Sequence, residues 1–476
     1  MDNGPREAQA TLERHFSEIP LDAAGTEKIV GRVASITGSR ITGILNEDAM
    51  ADGETTEAVR IGDLVKCDTG RSVVFGIVSE ARIVDHSAAA GGNRGTAIDI
   101  DLFGEAVADG EGGSAFRRGV SIYPLLRQPI VTATSEDLAQ VYARPSASSV
   151  RIGTLHQDPD LAAYILVDEL LGKHFSILGM TGSGKSCAAA LILRRILEAH
   201  PCGHIVLLDP HSEYHGSFGE YSELIDPDSL DLPYWLMNFE EAVAVICSPD
   251  GPTRHSEMEI LKEAILTAKR AALPDSEDRL WLTVDSPVPY AMSALMRFID
   301  GQLGKLDRAE TTEPYLRIKA KLERLRGDRR YQFMFAGRSV RDNLAEIVAR
   351  LFRIPVDGKP ITVIDLSGVP SEIVDICVSI LCRLVFDFAV WSERDEAVPI
   401  LLACEEAHRY IPRDPTLGFG PTRQAISRIA KEGRKYGVSL CLMTQRPAEI
   451  SESILSQCNT IFSMRISNQR DQEFVR

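Results

Sequence analysis

The residues Gly179-Met180-Thr181-Gly182-Ser183-Gly184-Lys185-Ser186 form a complete GxxxxGKS pattern. An apolar run, His174 to Leu178, precedes it, and an apolar-periodic stretch, Cys187 to Ala199, follows. Strand, glycine loop and helix in that order make a cradle for phosphates. The glycines let consecutive backbone N–H groups point inward, and the helix N-terminus adds its partial positive charge. On this reading Lys185 reaches the β and γ phosphates of ATP, and the Ser186 hydroxyl ligates Mg2+. Gly179, Thr181, Gly182, Ser183, Gly184 and Cys187 complete the expected nucleotide contacts. A chance glycine turn does not account for strand, loop, Lys-Ser and helix together.

A second constellation supplies carboxylates. Ile400 to Cys404 is apolar or small and runs straight into Glu405-Glu406. A buried strand ending in two carboxylates requires each to be paired, hydrated or bound to a cation. A phosphate-loop fold needs an acid at the end of a neighbouring strand to hold the Mg2+ shell, and often a second to orient the attacking water. Glu405 falls at the metal-side position and Glu406 at the water-polarising one. The usual metal-side residue is aspartate. The extra methylene of Glu405 leaves direct and water-mediated contact both open. Alternatively, the pair caps a helix starting near Ala407.

Further residues are candidates for the same site. Asp209-Pro210-His211-Ser212-Glu213-Tyr214 follows the strand pattern HIVLLD, so its acids fall at the carboxyl edge of a sheet, where ligands bind in such folds. The other reading is a loop of solvated acids. Gln445 sits at a strand tip, where a polar side chain can sense hydrolysis; it could equally be a satisfied turn residue. Arg423, Arg428, Lys431, Arg434 and Lys435 oppose a single acid, Glu432. They read either as a solvated basic helix or as the source of an arginine finger, with Arg434 reaching a neighbouring subunit's ATP. Lys173 could add a second cation at that boundary, or be a surface lysine.

These residues must be carried by a large scaffold. At 476 residues the chain exceeds one core, so two or three domains are expected. The composition, 44% hydrophobic and 25% charged, is that of a soluble globular protein. No apolar run is long enough for a membrane span, and the N-terminus lacks the pattern of a secretory signal. The nine scattered cysteines contain no CxxC pair, which suits small buried hydrophobes in a reducing cytoplasm better than a zinc site. A net charge of −16 argues against a nucleic-acid coat, but leaves room for a small basic lining such as that of a pore.

Residues 1–25 read as a polar lead-in. From 26 to 130 short strands (IVGRVASI, ITGILN, DLVKCD, SVVFGIVSEARIV, AIDIDLFGEA, VSIYPLL) punctuated by glycine suggest a small β-barrel. AAAGGNRG, residues 88–95, reads as a hairpin loop, and 131–150 as a connector. From 151 to 476 continuous apolar strands alternate with helices, the signature of an α/β domain with a mostly parallel sheet. A helical insertion is expected at about 214–350, and nothing after the last strand reads as a closing element.

The stretches KHFSILGMTGSGKS, LLDPHSEY, ITVIDLSGVP, LLACEEAHRYIP, RIAKEGRKYGVSLCLMTQRP and ILSQCNTIFSMRI resemble, in order, those of the HerA family of hexameric ATPases, relatives of FtsK-type DNA pumps. The resemblance covers about residues 25–476, loosely in the insertion. It implies a RecA-like ATPase domain and an N-terminal HAS barrel packed on the ATPase ring. It also implies that Lys185 and Ser186 serve as the phosphate-loop pair, Glu405 and Glu406 as the acidic pair, Arg434 as the trans-acting arginine, Gln445 as the sensor and Lys173 as a second trans-acting cation. Family members usually continue into a C-terminal segment that reaches over the neighbouring subunit; this segment is missing here. The function implied is a homohexameric translocase of double-stranded DNA. It would work in the cytoplasm beside a NurA-like nuclease, or beside a defence effector such as a nuclease or a sirtuin-like NADase. The alternative is a ring scaffold whose ATP binding regulates a partner effector. A coupling ATPase of conjugation fits less well, given the lack of membrane spans.

Overall fold

Alternating burial shapes the N-terminal third of the chain. The computed structural model describes residues 28–475 apart from 47–58, 86–93, 109–113, 275–276, 306–308, 336–339 and 394–396. The lead-in and most of the 88–95 loop therefore lie outside the described residues. Contacts divide the chain at Tyr164 and Ile165 into two units.

In the first unit, β1 (Ile29–Thr37), β2 (Arg40–Leu45), β3 (Leu64–Asp68), β4 (Ser72–Asp85), β5 (Arg94–Ala108), β6 (Ser114–Arg118) and β7 (Pro129–Thr132) form one antiparallel sheet. Its order is β2-β1-β7-β3-β4-β5-β6, and β2 also pairs with β5, so six strands close into a barrel. Closure removes the free edges. The interior is filled by Val30, Val33, Ile41, Val74, Ile98, Ile100 and Ile130. Two sequence expectations differ here. VSIYPLL (residues 120–126) is not a strand: Tyr123, Leu125 and Leu126 are exposed, and no strand among the described residues pairs with it. PIVT, read as the start of a connector, is β7, which pairs with both β1 and β3 and completes the barrel. A helix α1 (Ser135–Val141) follows, started by a Thr134/Asp137 capping box. Asp137 also pairs with Lys66 at 2.7 Å. Strands β8 (Ser149–Thr154) and β9 (Ala162–Leu166) make a separate two-stranded sheet.

The second unit is built on seven parallel strands: β10 (His174–Leu178), β11 (Ile205–Asp209), β12 (Ser222–Ile225), β13 (Ile361–Asp365), β14 (Ile400–Cys404), β15 (Val438–Thr444) and β16 (Cys458–Ser463). Their order is β12-β13-β11-β14-β15-β10-β16. Every residue of β10, β11, β14 and β15 is buried, which requires cover on both faces and explains their unbroken apolar character. Among the helices are α2 (Val167–Leu171), α3 (Lys185–Ala199), α4 (Phe239–Ile246), α5 (Arg254–Ala272), α6 (Met292–Leu303), α7 (Ala309–Gly327), α8 (Leu344–Phe352), α9 (Ser371–Trp391) and α10 (Gly420–Glu432). Helices α4 to α8 lie between β12 and β13 in sequence, where helical character was expected. The strand β12 inside that stretch was not foreseen; it is short and only partly buried, so its pattern is weak. A final helix, α11 (Gln469–Val475), follows the last strand where no closing element was read. Its buried Asp471 accepts the Ala448 N–H at 3.0 Å.

His174 ties the amino edge of this sheet together. Its Nδ1 accepts the Leu440 N–H at 3.0 Å, and its Nε2 lies 3.0 Å from the Ala430 carbonyl near the end of α10. This pattern requires the neutral ring with the proton on Nε2. Burial, opposed by the Ala430 hydrogen bond, holds the imidazole below its ordinary 6.5. The unfolded chain therefore takes up the proton first as pH falls, and this contribution to stability is lost as pH drops below 6.5. His174→Ala would leave two buried backbone groups unpaired and should cost about 2–4 kcal/mol in denaturant unfolding. A loss well under 1 kcal/mol would count against this role.

Candidate active site

The four central strands β11, β14, β15 and β10 end side by side, and the residues that follow each of them converge at the carboxyl edge. Parallel strands with buried faces dictate this: the chain can turn only past the strand tips, and the polar residues gather there.

After β10 comes the phosphate loop. Gly182 and Gly184 have φ of 76° and 91°, a left-handed conformation that disfavours other residues. Gly184 is the N-cap of α3, so the helix begins at Lys185. At Gly179 a Cβ would sit 2.6 Å from Ser183 Oγ and from Met464 Cβ. The Ser183 hydroxyl is buried and has no hydrogen-bond partner among the described residues. An orphaned buried hydroxyl in a phosphate loop fits a phosphate oxygen. Cys187, on the first turn of α3, is exposed.

Lys185, also buried, donates to Glu405 Oε1, forming a buried ion pair. The second oxygen of Glu405 accepts from the Tyr214 hydroxyl at 2.8 Å. Glu405 is fully buried; burial pushes its carboxyl up from 4.5, outweighing the charge and hydrogen bond of Lys185 and the Tyr214 bond. Glu406 has a left-handed backbone, φ 51°, which costs a non-glycine residue energy and is a common feature of functional turns. It begins a single 3-10 turn, Ala407–Arg409, without a side-chain cap, so the capping alternative is not the arrangement seen. Burial alone would push the Glu406 carboxyl up, but the His408 contact and the charges of Lys185, His408 and His211 hold it below 4.5. His408 Nδ1 lies 3.1 Å from Glu406 Oε2 and 3.1 Å from Thr444 Oγ1, linking the ends of β14 and β15. Past β15, Gln445 accepts the Thr181 hydroxyl of the phosphate loop.

The loop after β11 contributes more than the sequence indicated. Asp209 is fully buried and is not one of a set of solvated acids. Its carboxylate accepts backbone N–H groups of His211, Glu213 and Tyr214 at 3.3, 3.1 and 2.9 Å. Burial nonetheless pushes its carboxyl above the usual 3.8. The loop so held delivers Glu213 to the Ser186 hydroxyl, which donates to Glu213 Oε2. Tyr214 and His408 were not identified as site residues from the sequence; Tyr214 meets Glu405 across 191 residues, and His408 meets Thr444 across 36.

Lys173 and Arg434 lie elsewhere. Arg434 is exposed on a 3-10 turn, Gly433–Tyr436, that follows α10; a Cβ at Gly433 would sit 2.8 Å from the Val438 carbonyl, so glycine is needed there. This turn precedes β15, whereas Gln445 follows it. The seven residues of β15 separate the two ends by about 20 Å. Lys173 precedes β10 on the same amino edge and pairs with Glu169 at 2.6 Å. Two members of the basic set are structural: Arg428 stacks over Phe386 at 4.4 Å, and Arg423 donates to the Pro415 carbonyl. In α7, Arg317 pairs with Glu313 at 2.7 Å and Lys319 with Asp300 at 2.6 Å.

The family model described as "Helicase HerA, central domain" matches residues 150–385. The DNA double-strand break repair helicase HerA of Pyrococcus furiosus is 29% identical over 436 residues, 80% of this chain and 73% of that protein. The chain belongs to the HerA family. Its counterpart in Sulfurisphaera tokodaii is 27% identical over 361 residues, 74% of this chain and 66% of that protein. The chain thus spans about two thirds to three quarters of the length of these relatives. Among solved structures, VirB4 of Thermoanaerobacter pseudethanolicus is similar at 18% identity and a TM-score of 0.46, over 70% of this chain and 87% of that one. As a HerA-family member with a complete phosphate loop, the chain is an ATP-hydrolysing enzyme. No helix among the described residues is long and apolar enough to cross a membrane.

Tyr214→Phe removes a hydrogen bond to a buried carboxylate and should lower unfolding free energy by about 1.5–3 kcal/mol. An unchanged denaturation midpoint would show that the Tyr214 contact contributes nothing.

Proposed function

We propose that this protein is an ATP-driven translocase of double-stranded DNA. It assembles as a homohexameric ring with ATP bound between subunits. The observation that carries this reading is the position of Arg434 and Lys173. Both lie at the amino edge of the sheet, a strand's length from their own phosphate loop, so neither can serve the site in its own subunit. A closed ring of head-to-tail subunits is the simplest way to bring that edge to a neighbour's nucleotide. The names of the relatives, DNA repair helicases, support DNA as the substrate.

In the mechanism, Lys185 exchanges its carboxylate partner for the β and γ phosphates, while the N–H groups and the Ser183 hydroxyl of the loop hold the remaining oxygens. Mg2+ would be held by Ser186 and a neighbouring carboxylate, Glu405 in the family pattern, and supplies charge neutralisation on the phosphates when bound. Glu406, kept ionised through the neutral range, orients the attacking water and takes up its proton. Gln445, tied to Thr181, reports the phosphate state to β15. Arg434 of the adjoining subunit neutralises charge on the transferred phosphoryl group. DNA contacts to the phosphate backbone alone make binding salt-sensitive and blind to sequence.

One feature supports a second reading, a scaffold that regulates an effector. The barrel, in the role of a HAS barrel, exposes Ile122, Tyr123, Leu125 and Leu126 on a loop held by hydrogen bonds from Arg127 N to Val33 O and from Leu125 N to Gln128. A fixed apolar loop suits docking of a protein partner such as a nuclease or a sirtuin-like NADase, in DNA end processing or in anti-phage defence in the cytoplasm.

Lys185→Ala should abolish nucleotide binding. Glu406→Gln should keep binding and lose turnover about a hundredfold or more. Arg434→Ala should lose turnover about a thousandfold while the ring persists. Mixing Lys185→Ala with Arg434→Ala subunits should restore part of the ATPase rate, because one subunit supplies the lysine and the next the arginine. No recovery on mixing would refute the shared site. Duplex DNA should stimulate hydrolysis in the wild type; indifference to DNA with dependence on a protein partner would favour the scaffold.

A further inference from the structure

Two carboxylates compete for the metal side of the phosphate site, and they are held in opposite ways. Glu405 is fully buried. One of its oxygens receives Lys185 and the other receives Tyr214. Even when Lys185 turns to the phosphates, Glu405 stays fully buried with one oxygen bonded to the Tyr214 phenol, and giving up that bond would leave a buried polar group without a partner.

Glu213 has neither constraint. Its side chain is exposed at the site. Its backbone is fixed by the Asp209 carboxylate, which accepts the N–H groups on both sides of the Glu213 carbonyl. The residue before it, Ser212, has φ 57° and donates to Asp365 Oδ2 at 2.7 Å. Loop, buried anchor and left-handed turn thus present one exposed carboxylate at a set place. That carboxylate already accepts the Ser186 hydroxyl. A hydroxyl whose oxygen ligates a cation must direct its proton at an acceptor, and Glu213 Oε2 is that acceptor.

We infer that Glu213 is the positioning carboxylate of the metal side, orienting Ser186 and adding negative charge there, while Glu405 holds Tyr214 and, before nucleotide binds, Lys185. This rests on the nucleotide-site reading above and assigns the role to a residue in the loop after β11, outside the acidic pair.

The test uses the full-length protein with ADP, and Mn2+ as the probe, followed by electron paramagnetic resonance. Outer-shell partners of a metal ligand typically change affinity 10–100-fold. Glu213→Gln should therefore raise the half-saturating Mn2+ concentration by about tenfold or more. Its affinity for ADP in EDTA should stay within about twofold of wild type, since Lys185 and the loop are intact, and Glu213→Asp should recover part of the metal affinity. Glu405→Gln should shift the Mn2+ midpoint less than Glu213→Gln does. A Glu213→Gln midpoint within about threefold of wild type, or a larger shift in Glu405→Gln, overturns the assignment. The two readings fail differently. If Lys185→Ala still binds ADP in EDTA, the nucleotide site is wrong; if only the Glu213 result fails, the site stands and the metal side belongs to another carboxylate.

Discussion

A buried ammonium facing a buried carboxylate governs the arrangement of the second unit. Lys185 and Glu405 come from segments 220 residues apart, and neither can be left alone in so apolar a place. Their pairing requires the first turn of α3 and the tip of β14 to meet, with β15 lying between β14 and β10 in the sheet. Tyr214, from the tip of β11, completes the hydrogen bonds of the same carboxylate. One ionic contact therefore holds three loops in register. It also keeps the lysine in place for a phosphate, because a carboxylate and a phosphate oxygen present the same kind of acceptor.

The sheet separates two kinds of charge. Carboxylates, the phosphate-loop lysine and Gln445 gather at the carboxyl edge, while Lys173, Lys431, Arg434 and Lys435 collect near the amino edge. His174 is the joint at that second edge, bonded to β15 and to α10 through a ring that is neutral by geometry. Because the strands are stiff and fully buried, the two edges cannot approach each other within one subunit. A site that needs groups from both must be assembled from two.

The loop after β11 adds a layer of control that depends on a single buried acid. Asp209 spends its carboxylate on backbone N–H groups, an arrangement that rigidifies a turn and leaves the side chains of Glu213 and Tyr214 free to act on the neighbouring loops. The barrel of the first unit follows separate rules: six strands close on a Val and Ile interior, and its apolar exposure is confined largely to single residues and the loop around Leu125.

Local sequence determined a great deal here. Glycines at 182 and 184, Lys185 and Ser186, and the two acids after β14 have meaning within a few residues, because phosphate cradles and strand tips are local devices. Five of the seven strands were legible as apolar runs because burial on both faces leaves little room for polar residues; β16 was read as a sixth such run, although every second residue in it is exposed. What could not be read depended on distance or on weak local pattern. β12 and β7 are short and partly buried, so only their neighbours in the sheet make them strands. VSIYPLL looked like a strand because apolar content was read without a partner to pair it. The acids of Asp209 to Tyr214 were expected at the carboxyl edge, but which one is buried, which meets Ser186 and that Tyr214 holds Glu405 were decided by tertiary structure. Hydrogen bonds across 27 and 191 residues leave no spacing to recognise, because folding, and not sequence order, sets which side chains face each other.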